Sequence, residues 1–345
     1  MTNLYSFSLP KLEEKMLSIG QKKFRATQLF KRIYEKNVTD FDLMSDISLS
    51  FREYLKENFC LTKPKIFTKQ VSSDGTIKLL LELEDSNKIE TVLMRYNYGS
   101  VACVSSEVGC NMACAFCASG LLKKKRGLTV DELLGQVLVL NDLLKLENND
   151  ERITHVVVMG TGEPFDNYDN VMDFIRILNA PHGLAIGARH ITVSTCGLVE
   201  GIKKYAHEGL QINLAISLHA SNDELRNKLM PINKKYPLNE LMDAVRYYEK
   251  EAGRRVTFEY ILLKGINDQK ENALELASLI KGTLAYVNLI PFNPVKELEY
   301  NRSDNKTVHN FMDILMKKGV NVTIRKEFGT DIDAACGQLR AKNEK

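Results

Sequence analysis

From residue 100 onward the chain changes rhythm, and that rhythm limits what it can fold into more than any other feature. Short, β-branched apolar runs alternate with segments of helical period: SVACVSS, TVDELLGQVLVLNDLL, THVVVM, YDNVMDFIRIL, HITVST, LVEGIKKYA, INLAISL, LNELMDAVRYYEK, RVTFEYILL, NALELASLI, AYVNLIPF, KTVHNFMDILMKK and NVTIRK. Strands that are apolar nearly throughout belong to a parallel sheet covered by helices. About six βα units precede a last strand and a tail, which predicts an incomplete (β/α) barrel or an open doubly wound sheet. Thr129 and Glu132 stand in capping-box register at the start of the first crossover helix.

Ahead of this alternation, residues 1–62 read as helices only. Leu9, Leu12, Met16 and Leu17 share one face, as do Phe24, Leu29, Ile33 and Tyr34, and a third helix runs from Leu49 to Phe59. Pro64 breaks the pattern. KLLLELEDSNKIETVLMRY then places two apolar runs around Asp85-Ser86-Asn87 and reads as a β-hairpin. The expected organisation is a helical accessory domain over 1–62, a hairpin extension over 63–99, the α/β unit over 100–326 and a tail over 327–345. With 47 basic and 44 acidic residues the formal charge is +3, too small to argue for nucleic acid by itself. Local clusters such as Lys22-Lys23-Phe24-Arg25 and Lys123-Lys124-Lys125-Arg126 read, one at a time, as solvated faces. No long apolar run or leader stands out, so the expectation is a cytoplasmic protein without a membrane segment; a monomer is expected as well. Seven cysteines, an odd number, favour a metal or reactive-thiol role over a disulfide scaffold.

In either α/β architecture functional groups gather at the carboxyl ends of the strands. The polar residues fall there: Cys110, Cys114 and Cys117 after the first strand, Gly160-Thr161-Gly162-Glu163-Pro164 after the second, Ser194-Thr195, Ser217-Leu218-His219 and Asn293 after later ones. A structural zinc site wants four ligands, commonly in paired spacing. Here three thiols are close and no second pair follows, so zinc needs a remote fourth ligand. Three thiolates can instead hold three irons of a 4Fe–4S cluster and leave the fourth iron open to a substrate or cofactor.

The CxxxCxxC loop followed by GTGEP resembles the radical S-adenosylmethionine superfamily. That resemblance implies a 4Fe–4S cluster on Cys110, Cys114 and Cys117, with S-adenosylmethionine bound beside it. Further stretches narrow it: CNMACAFC, SLHA at Ser217 to Ala220, PFNP at Pro291 to Pro294, Ile89-Glu90-Thr91-Val92, Cys103, and above all DIDAACGQL at Asp331 to Leu339. Together they resemble the RlmN/Cfr family, which methylates an adenine of 23S ribosomal RNA, over nearly the whole chain. The family reading implies a partial (β/α)6 radical barrel with a helical RNA-binding domain in front.

It also implies that Gly162, Glu163, Ser194, Ser217, Leu218, His219 and Asn293 bind the cofactor. Cys336 would accept its methyl group, Glu90 would take the ring proton, and Cys103 would release the adduct through a transient disulfide with Cys336. Two S-adenosylmethionine molecules per turnover, transfer RNA as a second substrate, and an external electron donor such as flavodoxin or ferredoxin come with it. Pro164, Ala220 and Pro291-Phe292 resemble the carbon-2 branch rather than the carbon-8 branch. Taken without the family, Cys103 reads as a buried strand cysteine, Glu90 as an exposed hairpin acid, His219 as a core histidine, and Cys60 and Cys196 as structural.

Overall fold

The computed structural model describes residues 1–147, 151–295, 297–332 and residue 339. The chain starts with β1 (Thr2–Asn3), followed by α1 (Leu9–Ser18), α2 (Phe24–Tyr34) and α3 (Leu49–Asn58), then β2 (Phe59–Cys60). Their apolar faces close over Leu12, Met16, Leu29, Phe30, Ile33 and Leu55, all buried. The short parallel pair β1–β2 is additional to the helices the sequence shows, because two-residue strands carry no periodicity.

Next come β3 (Lys65–Val71), β4 (Ile77–Glu82), β5 (Lys88–Tyr96) and β6 (Gly99–Val104), then the short pair β7 (Glu107–Val108) and β8 (Arg126–Gly127), and α4 (Val130–Glu147). The rest alternates: β9 (Ile153–Val158), α5 (Tyr168–Asn179), β10 (Ile191–Thr195), α6 (Val199–Tyr205), β11 (Asn213–Ser217), α7 (Asp223–Leu229), α8 (Leu238–Ala252), β12 (Val256–Leu262), α9 (Lys270–Leu279), β13 (Tyr286–Pro291), α10 (Asn305–Lys317) and β14 (Asn321–Ile324). One sheet takes ten of these strands in the order β14-β13-β12-β11-β10-β9-β6-β5-β4-β3. Within it β6 and the strands from β9 to β14 pair in parallel, each joined to the next across helices, while β7 and β8 form a separate antiparallel pair.

The extension is larger than a hairpin: β3, β4 and β5 run antiparallel and continue the main sheet through β6. Alternation gives each strand two unlike faces. Ile77, Leu79, Leu81, Leu93, Ala102 and Val104 join the main helix-covered core. The opposite face of β5 and β6 carries Val92, Met94, Val101 and Cys103. In a flat sheet β6 and β13 would stand about 24 Å apart. Cys103 of β6 and Ile290 and Pro291 of β13 nevertheless line one cavity. The sheet is therefore curled into a partial barrel with this second face inside.

Candidate active site

The cysteine loop leaves β7 and returns at β8. Its ends are tied by Lys125 N–H to the Val108 carbonyl (2.7 Å) and Cys110 N–H to the Leu122 carbonyl (2.8 Å). Gly109 sits at φ +84, and a Cβ there would meet the Lys123 carbonyl oxygen at 2.1 Å, so only glycine permits this crossing. Ala115 N–H donates to the Leu229 carbonyl at 2.9 Å, fastening the loop to the end of α7. Cys110, Cys114 and Cys117 are all half-buried. Burial, the largest influence, pushes the Cys110 thiol up to about 12, and Glu107, Cys117 and Glu163 add negative charge nearby. Cys114 is pushed up by burial and then by Cys117 and Cys110.

Such thiols stay protonated at neutral pH unless a cationic centre takes the negative charge. Among the described residues no three metal-type ligands converge on one point where a single ion could sit, as a zinc site requires. Three cysteine thiols on one loop are the donor type that an iron–sulfur cluster takes.

GTGEP follows β9 and packs onto the segment leading to the cysteines. Thr161 N–H donates to Ser105 Oγ (3.1 Å), Ser106 N–H to the Thr161 carbonyl (2.9 Å) and Glu163 N–H to Glu107 Oε2 (3.0 Å). Lys124 Nζ holds the other Glu107 oxygen at 2.6 Å and Asp166 at 2.6 Å. The Glu163 carboxylate accepts the N–H of Phe165 (3.0 Å) and of Cys196 (2.7 Å), joining this loop to the end of β10. Burial raises the Glu163 carboxyl, against those N–H groups. Ser106 Oγ, buried against Gly162, makes no hydrogen bond among the described residues. That oxygen has hydrogen-bonding capacity left over beside the GTGEP loop, which is compatible with a polar ligand there.

At the later strand ends, register puts Ser194 beside Ala215, and Ser217 beside Glu259, on the inner face. Leu218 is fully buried in the main core; its N–H donates to the Glu259 carbonyl at 3.0 Å and its own carbonyl accepts the Ala220 N–H at 2.8 Å. His219 has φ 57, unusual outside glycine. Its Nδ1 accepts the Ile261 N–H at 3.0 Å, so its proton belongs on Nε2, and its ring stands edge-on to Phe116 at 4.8 Å. A cavity of about 250 Å³ opens beyond Phe116 and is lined by Cys117, Cys103 and Asn293 among others.

The comparisons agree with this geometry. The Radical SAM superfamily model matches residues 104–277, and the model for the ribosomal RNA large subunit methyltransferase N-terminal domain matches residues 2–61. The "probable dual-specificity RNA methyltransferase RlmN" of Spiroplasma citri is 53% identical over 100% of this chain and 99% of its own. The protein of the same name from Listeria welshimeri is 53% identical, covering 100% and 95%. A crystal structure of a radical SAM methyltransferase from Sphaerobacter thermophilus superposes with TM-score 0.92 at 42% identity, covering 98% and 99%. The chain belongs to the RlmN family. It is a radical S-adenosylmethionine RNA methyltransferase, and its family implies a 4Fe–4S cluster, S-adenosylmethionine and RNA substrates. Among the described residues no helix is long and apolar enough to cross a membrane.

Within this RlmN-type site, the sequence-predicted residues are placed differently, with Cys110 and Cys114 on the cysteine loop but not on the cavity wall. Cys117, Cys103 and Asn293 line the cavity. Gly162, Glu163, Ser194, Ser217, Leu218 and His219 do not line it; they sit in the loops and strand ends of β9, β10 and β11. Cys336, and with it any disulfide to Cys103, lies outside the described residues. Glu90 is not an exposed hairpin acid. It is buried, with Lys78 Nζ 3.0 Å from Oε2 and Lys78 itself fully enclosed. Register aligns Lys78, Val92 and Cys103 across three strands, with Glu90 on the same face.

Two residues escaped the sequence reading. Lys78 is hidden in the apolar run IKLLLE. Arg226 sits on the seven-residue α7, where a cation suggests a solvated face, yet it is fully buried. It donates to the carbonyls of Leu218 (3.2 Å) and Cys196 (2.7 Å) and to Asn233 Oδ1 (2.9 Å), clasping the ends of β10 and β11. The 123–126 cluster is also no free basic face: Arg126 pairs with Asp85 and Glu132, and Lys125 bonds Asn87.

Burial, with the charge of Arg226 behind it, lowers the His219 imidazole from 6.5 to about 3. Below 6.5 the unfolded chain takes up a proton that the folded site refuses, so this contribution to stability is complete above that pH and shrinks on acidification. The slope is about 1.4 kcal/mol per pH unit. Urea denaturation of cofactor-free protein at pH 6.5 and pH 5 should show His219→Gln losing about 1–2 kcal/mol less than wild type between the two.

Proposed function

We propose that this enzyme methylates carbon 2 of an adenine in 23S ribosomal RNA, and of the adenine beside the anticodon in certain transfer RNAs. The observation that carries the reading is the shared inner face. A cluster-loop cysteine, Cys117, meets Cys103 and Asn293 around one cavity, and Glu90 lies buried on the same strand face as Cys103. Cys110, Cys114 and Cys117 would hold the cluster; Gly162, Glu163, Ser194, Ser217, Leu218, His219 and Asn293 would surround S-adenosylmethionine. When bound, these groups supply a methyl group and a 5′-deoxyadenosyl radical, at the cost of two cofactor molecules per turnover.

The protein's own residues do the rest. Carbon 2 lies between two ring nitrogens and is a poor nucleophile, so Cys336 carries the methyl group as a thioether. The carried carbon would give a hydrogen atom to the 5′-deoxyadenosyl radical and bond to carbon 2; Glu90, with one oxygen on Lys78, would take the ring proton as one electron returns to the cluster. The Cys103 thiolate would then attack the Cys336 sulfur, forming a disulfide as the bond from that sulfur to the adduct carbon breaks; the electron pair stays on the carbon, which takes up a proton and leaves as the methyl group of the base. A thiol reductant resets the pair. The Arg226 clasp and the left-handed His219 keep the strand ends in place. RlmN-named relatives support carbon 2, as do Pro164, Ala220 and Pro291-Phe292. A cytoplasmic, monomeric enzyme reduced by flavodoxin or ferredoxin fits the same reading.

The test is incubation of anaerobically reconstituted protein with an unmethylated 23S fragment, reductant and S-adenosylmethionine, then nucleoside mass spectrometry. 2-Methyladenosine is expected. 8-Methyladenosine would move the chain to the other branch, and no methylated adenosine despite cofactor cleavage would sink the reading. Glu90→Gln should lower methylation about a hundredfold while 5′-deoxyadenosine is still released. Methylation within a few fold of wild type would remove Glu90 from its role.

RNA binding is expected to use the α2 entrance, where Lys22 and Lys23 are exposed. Lys23 already faces Glu13 at 2.9 Å, so it should contribute less than Lys22. Neutralising Lys22, Lys23 and Arg25 together should reduce the slope of log affinity against log salt by about one to two units in filter binding. An unchanged slope would exclude this surface.

A further inference from the structure

The two ends of the barrel differ. At the carboxyl ends of the strands Ser105, Thr161, Glu163, Cys196 and His219 are all buried. At the amino ends the inner face is wet. Thr192 pairs with Val157 of the inner face and Asn213 pairs with Thr192, and both polar side chains are half-exposed. A base bound for the cavity therefore has its way in at the amino ends.

Five aromatic rings stand in a row there. Phe328, on the cavity wall, lies 4.5 Å from Tyr96, and Tyr96 stacks on Tyr98 at 4.7 Å. Tyr98 meets His155 edge to face at 5.0 Å, and His155 stacks on His190 at 4.1 Å. Tyr96 and Tyr98 form the turn from β5 into β6, His155 lies early on β9 beside Val101 of the inner face, and His190 immediately precedes β10. Thr154 Oγ1 donates to the Ser100 carbonyl at 3.2 Å and so accepts from His155 Nδ1 at 2.9 Å, which fixes that ring. Gly99 permits the approach, since a Cβ there would meet Thr154 Oγ1 at 2.2 Å. The row leads outward to water: Tyr98 is 59% exposed and His190 is exposed too. Rings left in water at the mouth of a cavity mark a docking place.

The charges agree. Arg152 and Arg255 immediately precede β9 and β12, Arg189 stands two residues ahead of β10, and all three are exposed. None of them pairs with a carboxylate among the described residues, whereas Arg95, Arg126, Arg176 and Arg302 each do. The neighbouring acid, Glu151, is taken by Arg95 and Ser100. Exposed rings beside arginines without acid partners are what single-stranded nucleic acid requires, one for its bases and the other for its phosphates.

We infer that this row of rings is a stacking platform for unpaired RNA bases next to the target adenine, with Arg152, Arg189 and Arg255 facing the phosphates. The inference rests on RNA being the substrate and not on which ring carbon is methylated. A base that an enzyme works on must leave its stack, and aromatic side chains return part of the stacking that is lost. Tyr98 stands five residues from Cys103, about 17 Å along an extended strand, so the platform holds flanking nucleotides and not the target. Every base has a π-face, so one platform can serve two RNA substrates of different sequence.

The experiment measures binding to the anaerobically reconstituted protein by fluorescence anisotropy over a range of salt. The probes are a 23S fragment in which the target adenine is unpaired, and the same strand annealed to its full complement. Tyr98→Ala should weaken binding of the unpaired fragment about tenfold, keep the slope of log affinity against log salt, and leave the duplex alone. Tyr98→Phe keeps the ring and should stay within about twofold of wild type. Arg189→Gln/Arg255→Gln should instead lower the slope by about one to two units. Unchanged affinity in Tyr98→Ala overturns the inference, as does an equal loss in Tyr98→Phe. An equal loss on the duplex also overturns it, because that is general damage and not lost stacking. An unchanged slope in the arginine variant overturns the phosphate contacts. Wild-type protein that does not bind the fragment overturns the ribosomal RNA reading first, and the platform with it.

Discussion

Lys78→Met is expected to lower the stability of the cofactor-free protein by about 3–5 kcal/mol in chemical denaturation and to remove methylation, because it strands the Glu90 charge inside the barrel. The double variant Lys78→Met/Glu90→Leu should recover most or all of that stability and remain inactive. Lys78 is fully enclosed and Glu90 nearly so, with Nζ 3.0 Å from Oε2. Removing both charges from water costs several kcal/mol per ion, and mutual attraction does little better than break even. Apolar side chains of similar volume serve the fold as well or better at such a place. Val92 and Met94, already on this face, show that it accepts them. A pair that adds little stability, placed on the strand face that also carries Cys103, fits the role proposed for Glu90, a carboxylate held in orientation as a base. A single variant as stable as wild type would mean that the charges are relieved some other way. A double variant that still methylates RNA would end the catalytic case for both residues.

The parts of this molecule visible from sequence are those in which a residue's neighbours lie nearby along the chain. The alternating strands and helices were legible because the parallel strands are covered on both sides, and the polar strand ends stood out against them. β3 was not legible: KIFTKQV is an edge strand with mostly exposed positions, and its lysines mimic a loop. Glu90 was misjudged when read without the family, as an exposed acid, because a hairpin predicts one wet face. Here the strands continue into a curled sheet, so both faces are covered. Lys78 and Arg226 needed pairing partners 12 residues or more away in Glu90 and Cys196 to become meaningful. GTGEP was legible as a loop, but not the reason for its glycines. Gly160 and Gly162 press against Ser105, Ser106 and Glu107, more than fifty residues earlier.

That close approach sets the second large effect. Gly162→Ala should cost about 3 kcal/mol or more of stability and weaken S-adenosylmethionine binding at least tenfold in the reconstituted protein. Gly162 has φ +114, and an added Cβ would stand 2.6 Å from both Glu107 Cγ and Ser106 Oγ. Backbone strain of this kind costs of order 1–3 kcal/mol, and the clash adds to it. The loop cannot shift freely, since Glu163 is held by its N–H to Glu107 and by its carboxylate to Phe165 and Cys196. Movement at Gly162 therefore carries the ends of β9 and β10 with it.

Gly209→Ala is the matched control: φ +68, with nothing within 4 Å of the added atom. It should cost only about 1–2 kcal/mol and leave cofactor affinity alone. Equal losses in the two variants would assign the whole effect to backbone strain. A loss of affinity confined to Gly162→Ala would show that its packing on Ser106 and Glu107 is what shapes the loop for its ligand.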